Sequence, residues 1–350
     1  MVVATVILLL ACAAVSNCVG PDIYSDSGNP VETCHVNWTY DRTNKTHGSF
    51  CWDMFAPTCD GERQSPINIE TKKVTFMFFD PKYQRNTNTL TGHIKMAERA
   101  PKFMIDKKKS SFILSGIPFH SDKRFRLMQF HMHFHEVNVK GSEHRVDCEG
   151  HDGELHFVHE EISSMNDART SNNNAGTRNA NKVVLAIFVT IDEKENKTYP
   201  GLGPFFDNLK NAVICGTDKV SGESETFTVG PLEFLTTPGN LYSYEGSLTT
   251  PTCNETVTWL VRHTPVTVSR AHFEELLKLK WENTKISVHG NVRPPFPMND
   301  RKVYTNFKVR NEKNNENHNG NNNNENNGPT CTEWYESRVC GTESDDDDDN

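Results

Sequence analysis

From about Cys34 to Phe307 the chain alternates short apolar runs with clusters of turn-forming residues. VTFMFF (74–79), SFILSGIPF (111–119), RLMQFHMHFHEVNV (126–139), ELHFVHE (154–160), KVVLAIFVTI (182–191) and VTWLVRH (257–263) are rich in β-branched and aromatic residues, the composition of strands. Many of them alternate polar and apolar at period two, which puts one face on a core. LAIFV (185–189) is apolar throughout, as in a strand buried on both faces. The spacing predicts one helix over Ser269–Lys280, with Ser269 as N-cap and Phe273, Leu276 and Leu277 along one stripe. A mostly β domain (α+β class) with a large central sheet follows.

Several segments break this pattern. Residues 163–181 are Asn-rich with almost nothing to bury and read as a loop within a domain spanning 34–308. Residues 309–350 form a tail of Asn, Glu and Gly, of low complexity and predicted to be disordered. Within it CTEWYESRVCG reads as a small element clasped by Cys331 and Cys340, and Asp345–Asp349 close the chain. At the other end, the apolar run Val2–Val15 is too short for an ordinary membrane span. Followed by small residues, it reads as a signal peptide over residues 1–18.

Composition narrows the classes. Of 350 residues 35% are hydrophobic, below the globular norm of roughly 45–50% for a class that also counts Gly, and the net charge is −9. That charge argues against a basic face for nucleic acid. The acidic C-terminus lacks the apolar tail that a lipid anchor requires. Of ten cysteines, Cys12 leaves with the leader, and the remainder, without a CxxC pair, read as disulfides of an extracellular protein. The sequons at Asn37, Asn44, Asn196 and Asn254 agree with secretion.

Fifteen histidines are present, eight of them between His120 and His159. In His131-Met-His133-Phe-His135, residues two apart on a strand project to one face. His156 lies in a second strand. Two imidazoles from one strand and one from its neighbour make three neutral nitrogen ligands with a fourth position open, the arrangement of catalytic zinc. The spacing leaves open which of His131 and His135 is the odd one out.

QFHMHFH (129–135), GSEHRVD (141–147), ELHFVH (154–159) and GSLTTP (246–251) resemble, in order and interval, the α-carbonic anhydrases. GERQSPINIE (61–70), VLAIF (184–188), Thr258-Trp259 and NVRP (291–294) extend the resemblance over roughly Trp38 to Phe307. It implies a single domain built on a twisted, mainly antiparallel sheet of about ten strands with short surface helices. It also implies one Zn²⁺ on His131, His133 and His156, hydrating carbon dioxide reversibly to bicarbonate. His135 becomes a bystander, and His144 and His159 structural. Gln129, Glu154 and a carbonyl near Asn291 would orient the three ligands. Thr249, donating to Glu143, would aim the nucleophile. Thr249 and Thr250 line the substrate pocket with Val158, Val184, Leu248, Val257 and Trp259. Tyr40 helps to order the cleft's water. The proton-shuttle position falls on Arg99 when aligned without gaps, and on His93 when a gap is allowed; arginine cannot relay protons near pH 7. Cys59 and Cys253 occupy the places of a family disulfide.

The Asn-rich and acidic segments resemble, in composition, the nacrein-like carbonic anhydrases of mollusc shell matrix. That likeness implies weak Ca²⁺ binding at the tail and a calcium carbonate mineral or matrix as partner. The alternative reading is a matrix protein of the same fold that acts mainly by mineral binding. A zinc hydrolase of another kind lacks its HExxH motif here.

Overall fold

The computed structural model describes residues 37–162, 181–211, 225–281 and 284–309, all within the unit that begins at His35. The signal peptide, the loop after Ile162, the tail and the Cys331–Cys340 clasp lie outside the described residues.

The strands are β1 (Asn68–Ile69), β2 (Thr75–Phe76), β3 (Lys82–Arg85), β4 (Leu90–Ala97), β5 (Ala100–Ile105) and β6 (Phe112–Ser115). They continue with β7 (Phe125–Phe134), β8 (Arg145–Val146), β9 (Gly153–Glu161), β10 (Lys182–Asp192) and β11 (Phe227–Val229). The last are β12 (Leu241–Gly246), β13 (Val257–Ser269), β14 (Lys280–Trp281), β15 (Thr284–Lys285) and β16 (Tyr304–Thr305). Twelve of them form one sheet, ordered β11-β4-β5-β7-β9-β10-β13-β12-β16-β2, with β6 joining β3 to β7. The sheet is mixed: β10–β13 and β16–β2 run parallel, and the other pairs antiparallel. Among the described residues two short α-helices accompany it, α1 (Gly203–Asp207) and α2 (Arg270–Leu277). Ser269 caps α2, its hydroxyl accepting from the His272 N–H, and Phe273 and Leu276 are buried beneath it.

Register positions the site. Directly opposed residues of neighbouring strands share a face. One row runs His93–Met104–Gln129–Val158–Val184–Trp259–Tyr244. The next on that face is Lys95–Lys102–His131–His156–Ala186–Val261–Tyr242. Between them, on the opposite face, lies Ile94–Phe103–Phe130–Phe157–Leu185–Leu260–Ser243. Phe130 is the centre of that apolar layer, 5.0 Å from Phe103, 4.9 Å from Phe157 and 5.0 Å from Phe205 between ring centroids.

Two predicted strands are shorter than their patterns. The run 126–139 stops at Phe134, because the chain turns through Glu136, whose carbonyl accepts from Val139 N at 3.0 Å. The run 74–79 is a strand only at Thr75–Phe76, on the sheet edge, where Phe76 and Phe78 are exposed.

Candidate functional site

His131 and His133 leave β7 on one face, and His156 leaves β9 directly opposite His131. His133 and His156 are buried, and His131 is half-buried. The ligand atoms of the three lie within 4.8 Å of one another. Each ring has one nitrogen committed. His131 Nδ1–H donates to Gln129 Oε1 at 2.9 Å, His133 Nδ1–H to the Asn291 carbonyl at 2.6 Å, and His156 Nε2–H to Glu154 Oε1 at 2.7 Å. That leaves His131 Nε2, His133 Nε2 and His156 Nδ1 as the acceptor nitrogens. His133 Nε2 is buried with no hydrogen-bond partner in the protein, a costly arrangement unless something binds it. Burial first, and then the neighbouring histidines, push His131 and His133 well below the ordinary imidazole value; burial also lowers His156. Three neutral nitrogens facing one another fit a zinc ion with an open fourth position.

His135 lies just beyond the end of β7 and is not among the three facing histidines. Its ring packs over Gly290, where a Cβ would meet His135 Cδ2 at 2.5 Å.

The acceptors are themselves anchored. Asn291 also ties to β7 through its side chain, accepting from Phe134 N at 2.7 Å and donating to the Met132 carbonyl at 3.0 Å. Glu154 accepts from His144 N and His144 Nδ1 at 2.8 and 2.6 Å. Burial alone would raise the Glu154 pKa, but His144 and His156 outweigh it and hold the carboxyl well below its usual range. On its far side, His144 Nε2 lies 2.7 Å from the Tyr244 hydroxyl.

Glu143 is fully buried, and burial pushes its pKa well up. Its Oε1 accepts from Arg293 N at 2.9 Å. The Thr249 hydroxyl bears on the carboxylate and opposes the rise, although the contact falls short of a regular hydrogen bond at Oε2. The Thr249 loop is braced by Leu248 N to the Asn254 carbonyl at 3.1 Å, and by the Cys59–Cys253 disulfide. Cys51 and Cys148 are disulfide-bonded as well.

Val184, Val257 and Trp259 belong to one buried cluster, against which Val158 and Leu248 pack half-buried. The Trp259 indole N–H donates to the Ser247 carbonyl at 3.1 Å. Tyr40 is buried between Trp38 and Trp52, and burial, followed by Glu143 and Glu98, raises its pKa. Arg99 sits in the two-residue β4–β5 turn, where Glu98 and Arg99 both have positive φ (50° and 58°), as a type I′ hairpin demands. Its Nε donates to the Trp38 carbonyl at 2.9 Å. His93 shares the row of Gln129 and Val158 through Met104. Of the four sequon asparagines, Asn37 and Asn196 are exposed, and Asn44 and Asn254 half-buried.

The sequence reading gave no role to Arg293. Its guanidinium is buried and donates to Gln64 Oε1 at 2.9 Å, the Ser65 carbonyl at 2.9 Å and the Cys59 carbonyl at 3.1 Å. It thus fastens the QSP segment and the disulfide to the backbone that supports Glu143. The one signal was its place in NVRP, since burial of an arginine is invisible to periodicity. Lys102 and Glu98 were missed too.

Residues 45–307 match the family model of the eukaryotic-type carbonic anhydrases. The chain is 30% identical to carbonic anhydrase 1 of Monodelphis domestica, over 78% of this chain and 99% of that protein. It is 27% identical to carbonic anhydrase 6 of Mus musculus, over 78% and 82% of the two chains. Against carbonic anhydrase 4 of Oryctolagus cuniculus it is 28% identical, over 79% and 86%. Among the described residues no helix is long and apolar enough to cross a membrane. With its twelve-stranded mixed sheet and its facing histidines, the chain belongs to the eukaryotic-type carbonic anhydrase family.

Proposed function

We propose that the protein is a secreted enzyme that reversibly hydrates carbon dioxide to bicarbonate and a proton, with one zinc ion on His131, His133 and His156. The observation that carries this reading is the donor set. Three imidazoles each spend one nitrogen on a fixed acceptor and keep the other for a shared centre, and one of those nitrogens is buried without a partner. Zinc held there supplies a hydroxide nucleophile near neutral pH, since it brings the pKa of its water to about 7.

The chain's own residues do the rest. Gln129, the Asn291 carbonyl and Glu154 set the tautomer and ring orientation of the ligands. Glu143, whose Oε1 already accepts from the Arg293 N–H at 2.9 Å, would be held ionised by the charge of a bound metal and would accept the hydrogen bond that the Thr249 hydroxyl donates. The Thr249 oxygen then faces the cleft as an acceptor and orients the nucleophile. Val158, Val184, Leu248, Val257 and Trp259 give apolar carbon dioxide a matching wall. Tyr40 and Thr250 belong to the polar side of the cleft. Proton export is assigned to His93, because Arg99 holds its charge at all working pH.

Secretion is supported by the apolar leader and by disulfide bonding. Support for a part in calcium carbonate deposition comes from the acidic and Asn-rich composition of residues 309–350.

The test is stopped-flow carbon dioxide hydration by the secreted protein, with zinc content measured on the same sample. One zinc per chain and hydration abolished by a chelator and restored by zinc are expected. One zinc per chain without hydration would overturn the enzymatic reading.

A further inference from the structure

Lys102 stands opposite His131 across the β5–β7 pair, so their side chains leave the sheet on the same face. Its side chain is only 13% exposed, unusual for a lysine. The ammonium meets one carboxylate, Glu98 Oε2 at 2.5 Å, and Glu98 is the more open partner at 45% exposure. Glu98 lies in the positive-φ turn of the β4–β5 hairpin, and, against the effect of burial, the Thr250 hydroxyl, on the loop that carries Thr249, helps Lys102 to hold its carboxyl below the usual range. Lys95 follows Lys102 in the same row. The Lys102 ammonium and the Glu98 carboxylate therefore stand at the edge of the histidine triad, with the carboxylate on the solvent side of Lys102.

We propose that Lys102 is an anion-binding residue of the cleft, which holds a small monovalent oxyanion, bicarbonate above all, beside the metal centre, and that Glu98 tempers this affinity by competing for the ammonium. The proposal rests on the functional reading above, since the anion is the product of that reaction. A desolvated cation is a stronger anion partner than a surface lysine, because less water screens it. A neutral amide in its place keeps hydrogen bonding but loses the charge. Tight product binding slows release, and a carboxylate that draws the ammonium away relieves it. The pair thus sets the balance between capturing and releasing bicarbonate.

The experiment is titration of the cobalt(II)-loaded protein with nitrate and with bicarbonate, followed by visible absorption at fixed ionic strength. Lys102→Gln is expected to weaken both anions roughly tenfold. Glu98→Gln is expected to tighten them about threefold, the opposite sign, which a merely structural role for the pair would not give. Cobalt stoichiometry of both variants is expected to stay at one. Unchanged anion affinity in both variants, or weakening in both, overturns the proposal and leaves the enzymatic reading standing. Failure of the unaltered protein to bind cobalt overturns the metal-centre reading itself, and cobalt binding without any response to the anions overturns the proposal.

Discussion

His131 and Phe130 are neighbours in β7, yet their two rows are built on different principles. The Phe130 row is a layer of aromatic and aliphatic side chains, held by apolar area removed from water and by ring contacts near 5 Å. The His131 row and its flank bury charge and amide instead. There Glu143, Glu154, His144, His156, Asn291 and Arg293 are all buried, and position comes from hydrogen bonds that leave few alternatives. One face supplies stability, and the other consumes some of it to hold three imidazoles in one orientation. The difference teaches that period two is a means of keeping chemistry and packing on one strand without mixing them.

Substitutions on the two faces should separate accordingly. Replacing His133 by Ala should reduce zinc content from one per chain to near zero and hydration to the background rate, with the fold retained by circular dichroism. Hydration at wild-type rate in that variant would dissolve the distinction between the faces. Phe130→Ala should cost about 3–5 kcal/mol of stability while metal still binds below the lowered melting temperature. Thr249→Ala and Glu143→Gln should each lower kcat/KM by about 10²-fold, and the double variant by little more, because the two act as one unit. Additive losses in the double variant would show that they act separately.

Acid should act through the packing side as well. His159 is buried, its Nδ1–H donating to the Val183 carbonyl and its Nε2 lying 2.9 Å from the Tyr83 hydroxyl. Burial lowers its pKa to about 4. The unfolded chain therefore binds this proton first. The stabilisation is complete above pH 6.5 and is lost as the pH falls towards 4, by roughly 3 kcal/mol in all. Urea melts of His159→Gln across that range should show a flatter slope than the parent; an equal slope would place the acid sensitivity elsewhere. The smallest effect is expected farthest from both rows. Ser269→Ala removes the cap of α2 at about 1 kcal/mol and should leave hydration unchanged.

Much of this was legible in the chain because strand patterns are local. The alternation in QFHMHFH, the apolar run 185–189 and the Ser269 cap each reflect the geometry of a few consecutive residues. The resemblance motifs carried the proposed ligand set. What the chain could not show is set by pairing between distant segments. That β5 lies beside β7, so that Lys102 meets His131, depends on register over tens of residues. The strand expected to run to residue 139 ends at Phe134, because a turn took its last residues and left His135 over Gly290.

The sequence by itself determined which residue types are present in which local order: three histidines on alternating positions, a threonine loop, and carboxylates close behind. Only the tertiary structure decided which nitrogen of each ring is spent, that Arg293 lies buried under the disulfide loop, and that a lysine–glutamate pair edges the triad. The physical reason is that periodicity fixes the face a side chain takes, whereas its hydrogen-bond partner and its exposure follow from what the fold packs against that face.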